Sequence, residues 1–199
     1  MATTTIYLIR HGVTAANKED RFAGRTGEPL HPEGEAQALA VAGRLRAAGI
    51  AAVIAGPLMR TAQTARIVAE TLGVEVGLLA ALNEISIPHW DGLTKAEIRA
   101  RFGPEYPTWL DTPERFRVGG CETIGEVQQR VVPAVAGLAR EYAGRAVLVV
   151  SHLIPLRAML LHHLDLPISA FRSVKIANAQ LVRLTMEPGS DRGRVEFPE

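Results

Sequence analysis

Three places far apart in the chain could do chemistry together: Arg10-His11, Arg60 and Ser151-His152. Each follows a short apolar run. Ile6 to Ile9 runs into Arg10-His11-Gly12, Ile50 to Ala55 leads through Gly56-Pro57 to Arg60, and Ala146 to Val150 runs into Ser151-His152. Two arginines and two histidines gathered at strand ends would form an anion pocket. A phosphoryl group in transfer spreads negative charge over three equatorial oxygens. Guanidinium forks and histidine donors can match that charge and fix the group's orientation. A histidine nitrogen in line with the leaving oxygen can then attack phosphorus, and neighbouring arginines favour the neutral imidazole this requires. The leaving alkoxide needs a proton, so a carboxylic acid has to stand close by; the same group could later activate water.

The elements that would position these residues follow from apolar patterning. The runs at 6–9, 50–55 and 146–150 read as strands buried on both faces, with a shorter one at Val74 to Leu79 and a late one at Leu181 to Met186. Pro32 to Ala48 reads as a helix with proline in its first turn and Gly49 as terminator, and Pro57 opens a second helix that ends before Gly73. Thr94 and Thr123 each begin a capping box, Thr94-Lys95-Ala96-Glu97 and Thr123-Ile124-Gly125-Glu126. The first starts a short helix to Phe102. The second starts the clearest helix, with Val127, Val131, Val135, Leu138 and Tyr142 on one face and Pro133 expected to kink it or to mark a late start. A further helix is expected from Pro155 to His163, and a frayed polar tail from Glu187. Alternating strands and helices predict an α/β fold, three layers with a mostly parallel central sheet, as a single domain over residues 1–199. Residues 83–121 stand apart. They hold no strong strand and are broken by Pro88, Pro104, Pro107 and Pro113, which predicts a helical, lid-like excursion over the active-site edge.

Composition narrows the function classes. The 199 residues carry a net charge of +1, which argues against recognition of nucleic acid by bulk charge. One cysteine, Cys121, allows neither an internal disulfide nor a cysteine-based zinc site. Of the 22 basic residues only Lys18, Lys95 and Lys175 are lysines; the rest are arginines, planar forks suited to phosphate and carboxylate. Met1 to Thr5 is polar, with no charged segment ahead of an apolar one, and no apolar run approaches a membrane span, so a cytoplasmic protein without membrane contact is expected. H-E-x-x-H, G-x-S-x-G and Walker motifs do not occur.

The ordered blocks resemble the histidine phosphatase superfamily, also called the phosphoglycerate mutase-like family. The resemblance begins at Leu8-Ile9-Arg10-His11-Gly12-Val13-Thr14-Ala15-Ala16-Asn17. It continues through Arg21-Phe22-Ala23-Gly24 and through Gly56-Pro57-Leu58-Met59-Arg60-Thr61. Leu82-Asn83-Glu84 with Trp90-Asp91-Gly92 and Glu122-Thr123 with Arg130 follow, and Val149-Val150-Ser151-His152 with Arg157 closes it. The resemblance implies His11 as the nucleophile that becomes phosphohistidine and Glu84 as proton donor. It implies Arg10, Asn17, Arg60 and His152 as phosphate contacts. It places Ala23 and Gly24 near the rest of the substrate, and it implies no metal and no cofactor. The chain departs from the family at Leu153, where glycine usually follows the second histidine, at Pro88, at Gly56 and at Cys121. Leu153 is expected to narrow the pocket or make it more apolar.

Three functions stay open at this point. The first is a metal-independent phosphatase acting on a small phosphorylated metabolite, favoured because the stretch after Glu84, Ile85 to Trp90, is short and lacks arginine. The second is a cofactor-dependent phosphoglycerate mutase. The third is a phosphate-ester binding protein without turnover. His162-His163 point to different helix faces and read as surface or core. Trp90 and Trp109 read as packing and Cys121 as inert, while His89 faces either substrate or solvent. The Val127 to Tyr142 stripe is core or part of a homodimer face.

Overall fold

The computed structural model describes residues 2–198; Met1, the first residue of the polar N-terminal segment, lies outside them. Six strands form one sheet: β1 (Thr4–Arg10), β2 (Ile50–Ala55), β3 (Val76–Leu78), β4 (Ala146–Ser151), β5 (Leu181–Met186) and β6 (Arg194–Glu196), in the order β3-β2-β4-β1-β5-β6. The first four are parallel, β5 runs antiparallel to β1, and β6 runs antiparallel to β5. The α/β fold with a mostly parallel sheet is as expected.

Side-chain parity explains why the inner strands are apolar throughout. Ile6 and Leu8 of β1, Ala52 and Ile54 of β2, and Val147 and Val149 of β4 face one core. Tyr7, Ile9, Val53, Ala55, Leu148 and Val150 face the other. Helices α2 (Pro32–Leu45) and α3 (Met59–Leu72) cover that second face, while α6 (Ile124–Glu141) and α7 (Leu153–His163) cover the first. A strand buried on both faces has no position to give to a polar residue until it ends. Each fully buried aliphatic side chain here contributes about 1.5–3 kcal/mol.

Several boundaries differ from the expected ones for local reasons. Helix α2 stops at Leu45, with a turn to Ala48 and Gly49 in a left-handed conformation. Helix α6 begins at its Thr123 capping box and runs unbroken through Pro133, so the proline marks no late start. Val127, Val131, Val135 and Leu138 anchor the helix on both sides of it. Helix α7 begins at Leu153, two residues before Pro155, because His152 already serves as its N-cap. The tail is not frayed throughout: β6 pairs Arg194, Val195 and Glu196 with Thr185, Leu184 and Arg183. A short helix α1 (Ala15–Lys18), absent from the patterning, follows its own Thr14 capping box.

The excursion at 83–121 consists of short pieces: 3-10 turns at Pro88–Trp90 and Pro113–Arg115, α4 (Lys95–Arg101) and α5 (Glu105–Asp111). Pro107 does not interrupt α5, because it lies in the first turn, where no intrahelical N–H is needed. Trp90, fully buried, centres an aromatic cluster with Phe22, Tyr106, Trp109 and Phe116, at ring separations of 5.2–6.0 Å.

Candidate active site

Strand register builds the site. Arg10 pairs with Ser151 and Ala55 with Val150 across parallel neighbours. The residues one step beyond, His11 and His152, therefore emerge side by side; their rings lie 5.3 Å apart, edge to face. The His11 N–H continues the ladder to the Ser151 carbonyl at 3.0 Å, and the Gly56 N–H bonds the Val150 carbonyl at 3.1 Å. Gly56 sits in a tight space: a Cβ there would lie 3.3 Å from His152 Nε2 and 3.0 Å from the Leu82 carbonyl oxygen.

His11 is oriented on both nitrogens. Its Nδ1–H donates to the Gly12 carbonyl at 2.8 Å, and its Nε2 accepts from Arg60 Nε at 3.3 Å. The loop carrying it is braced by the Gly12 N–H on Thr64 Oγ1 and the Val13 N–H on Gln37 Oε1. It also lies so close to α2 that a Cβ on Gly12 would meet the Gly34 carbonyl oxygen at 2.4 Å. Burial, then the charges of Arg60 and Arg10, hold the His11 imidazole well below its usual 6.5. His152, also fully buried, is held low mainly by burial, and neither of its ring nitrogens has a protein partner. Two neutral imidazoles among arginines are the state needed for attack and for hydrogen bonding to phosphate oxygens.

Arg60 stands in the first turn of α3, where the helix dipole disfavours a cation. Carbonyls offset this: its Nη2 donates to Gly24 O at 2.6 Å and its Nη1 to Thr26 O at 3.2 Å. Gly24 is left-handed, and a Cβ there would collide with the Asp91 carboxylate, which in turn accepts the Arg25 N–H at 3.3 Å. The Ala23 carbonyl accepts the Thr26 hydroxyl and the Gly24 carbonyl accepts Arg60, so both belong to the turn that aims Arg60.

Glu84 is buried, with Oε1 accepting the Ile85 N–H at 2.8 Å. Burial pushes its carboxyl up, against the opposing pull of that N–H and of Arg60, Arg10 and Arg130. Its backbone carbonyl accepts Arg25 Nε at 2.9 Å and Arg130 Nη2 at 3.2 Å, and Glu122 pairs with both arginines. Glu122 also accepts the Ser86 N–H at 2.8 Å. Glu122 and Arg130, part of the family-like blocks in the sequence, form this clamp together with Arg25. Asn17 Oδ1 accepts from the Thr14 N–H and from Asn178 Nδ2, whose amide also holds the His11 carbonyl, so the Asn17 amide nitrogen is what it can offer a ligand. Asn178 was missed as a site residue, and its signal is only its place just before the last long strand.

Arg10, Asn17, Glu84 and Leu153 line a cavity of about 380 Å³, together with Trp109, Phe171 and several cations. His11, Arg60 and His152 are buried. Leu153 lines the cavity beside Phe22, Trp109, Ile154 and Phe171, and Arg21, Lys95, Arg157 and Arg172 make the mouth charged as well. Among the described residues no cluster of three or more His, Cys, Asp or Glu side chains could hold a metal ion, and no helix is long and apolar enough to cross a membrane.

A sheet of this order, with a histidine beyond each of two central strands and arginines around them, defines a class of phosphoryl-handling α/β proteins. The model of the histidine phosphatase superfamily matches residues 6–195, and the chain belongs to that family. Within it the match is to branch 1. A probable phosphoglycerate mutase GpmB from Enterobacter sp. (strain 638) is 36% identical over 184 residues, 90% of this chain and 83% of the relative. The fold of YhfR from Bacillus stearothermophilus superimposes with a TM-score of 0.92 at 28% identity, covering 98% of this chain and 96% of that one. The mycobacterial glucosyl-3-phosphoglycerate phosphatase Rv2419c superimposes with a TM-score of 0.87 at 28% identity, with 98% of each chain covered.

Proposed function

We propose that this chain hydrolyses a small phosphomonoester through phosphohistidine on His11, without a metal. The observation that carries the reading is the His11 imidazole: its Nδ1–H is tied to the Gly12 carbonyl, so the lone pair sits on Nε2, where Arg60 Nε already points. Nε2 attacks phosphorus as the P–O bond to the leaving group breaks, the Arg60 Nε–H turning from Nε2 to a phosphoryl oxygen. Arg10, Arg60, Asn17 and His152 hold the equatorial oxygens. Glu84, whose carboxyl burial shifts upward, gives its proton to the leaving oxygen. It then takes a proton from the water that attacks phosphohistidine, releasing phosphate and restoring His11. Residues 83–121 form the wall over the leaving group. The phosphatase relative supports hydrolysis, and so does the arginine-free stretch from Ile85 to Trp90.

The test is phosphate release in EDTA from p-nitrophenyl phosphate and a panel of sugar, glycerate and nucleoside phosphates. The native protein is expected to release phosphate and to form an acid-labile phosphoenzyme. His11→Ala should do neither, with a loss of about 10⁴-fold or more. No release from any ester would overturn the reading. The similarity to proteins named as mutases favours a second reading, which phosphoryl exchange between positions of glycerate with little net release would support.

A further inference from the structure

Among the described residues, three other than glycine have a left-handed backbone: Asp20, Asp165 and Ala179. Aspartate tolerates that region because its side chain can bond the local main chain; alanine has no such help. Ala179, at φ 56°, therefore marks a place where the surroundings enforce the conformation. That place is the entry to β5. The Ala179 N–H donates to the Arg10 carbonyl at 2.9 Å, and the Ala177 N–H donates to Gln180 Oε1 at 2.8 Å. Asn178 bridges to Arg10 there, just before β5 begins its antiparallel pairing with β1. The strained turn thus sets one side chain, Asn178, against the loop that carries His11.

Two acceptors meet the Asn178 amide. Its Nδ2 lies 2.9 Å from the His11 carbonyl oxygen and 3.0 Å from Asn17 Oδ1. Chemistry leaves neither contact a choice of orientation. A main-chain carbonyl can only accept, and the Asn17 atom is fixed as an oxygen by the Thr14 N–H, which can only donate, at 3.2 Å. The group facing both is therefore the Asn178 NH2, with one hydrogen for each. Conversely, Asn17 cannot turn over without setting its own NH2 against the Thr14 N–H and the Asn178 NH2. The Asn17 NH2 is thereby kept for the cavity, which both asparagines line.

We propose that Asn178 is a positioning residue of the phosphoryl pocket, its single amide fixing both the main chain at His11 and the donor that Asn17 offers to phosphoryl oxygens. It touches no reacting atom itself. Asn17 and Asn178 then act as one unit in binding, because removing either one spoils the same donor. This rests on the hydrolase reading only for the identity of what fills the pocket; binding of orthophosphate needs no turnover.

The test measures orthophosphate affinity by calorimetry, and kcat for p-nitrophenyl phosphate, in wild type, Asn17→Ala, Asn178→Leu and the double variant. Leucine keeps the size of asparagine and removes the donor, so a role in packing alone would leave affinity near that of wild type. Asn178→Leu should instead weaken orthophosphate about fivefold or more, as Asn17→Ala does. The double variant should bind no more than about twofold worse than the weaker single variant, where independent contacts would multiply. Asn178→Leu should also lower kcat about tenfold more than Asn17→Ala, because Asn178 alone of the two holds the His11 carbonyl. Asn178→Ala, which inserts no apolar bulk, should give the same pattern, so failure of one variant to fold leaves the other to decide. Affinity near that of wild type in the Asn178 variants, losses that multiply in the double variant, or equal kcat in the two single variants would overturn the assignment. No hydrolysis of any ester, combined with the expected pattern in orthophosphate affinity, overturns the hydrolase reading and leaves the hold of Asn178 on Asn17 standing.

Discussion

His11 and His152 stand one residue beyond two strands paired over six positions, whereas Glu84 stands between two 3-10 turns in a stretch with no strand. On the proposed reading, the phosphate end of the cavity is thus placed by main-chain ladders and the leaving-group end by side chains. Glu84 is held by Arg25, Arg130 and Glu122, and the wall around it by rings packed on Trp90. A ladder places its end residues through many bonds at once. A clamp of three charged side chains can be undone by one substitution. The end around His11 and His152 should therefore withstand changes in the excursion, while Glu84, the proposed proton donor, should feel them.

The largest test of this division is Glu84→Gln. For an alkyl phosphate, whose leaving oxygen needs a proton, kcat is expected to fall about 10² to 10⁴-fold. For p-nitrophenyl phosphate, a better leaving group, the fall should be about tenfold or less. The pH profile supplies the sign. Burial raises Glu84, so its donor form persists above the ordinary 4.5 and activity declines as pH rises through the raised value. That alkaline limb should vanish in the variant. Equal losses for both esters would show that Glu84 serves the phosphate end instead.

Trp90→Ala comes next. Removing a fully buried indole costs about 3–5 kcal/mol. Hydrogen exchange should show amides of residues 83–121 losing protection while those of β1 and β4 keep theirs. Loss of protection throughout would mean that the two regions do not differ in the way described.

The smallest effect is expected from Glu122→Gln. It leaves Arg25 and Arg130 on the Glu84 carbonyl without their carboxylate. The unbalanced positive charge favours ionised Glu84, so the alkaline limb should move to lower pH and kcat should fall about tenfold, with KM for phosphomonoesters little changed. A change in KM with an unmoved limb would assign Glu122 to packing alone.

The same division governs what could be read from the amino acids. The strands around His11 and His152 were legible because burial on both faces demands continuous apolar runs, and a histidine directly after such a run is conspicuous. Arg60 was legible from Gly56-Pro57 and the family pattern. The clamp around Glu84 was not, because Arg25, Glu122 and Arg130 come from three separate segments and carry no period. Asn178 and the bracing residues Thr64 and Gln37 escaped for the same reason. Strand β6 was hidden by a polar, glycine-containing tail whose pairing is with β5 and not with its own core. The charged cavity mouth was also missed: Leu153 alone suggested a narrower or more apolar pocket, but Arg157 and Arg172 reach it from α7 and the segment that follows it.

The order of the strands has one more result. The sheet ends on either side in a strand of only three residues, β3 and β6, while its longer strands all lie inside. An incoming extended segment would find only a few open main-chain groups on which to align, too few to hold a register. Cutting the chain before Arg194 would instead uncover β5, six residues long, and turn a blunt margin into a template for self-association.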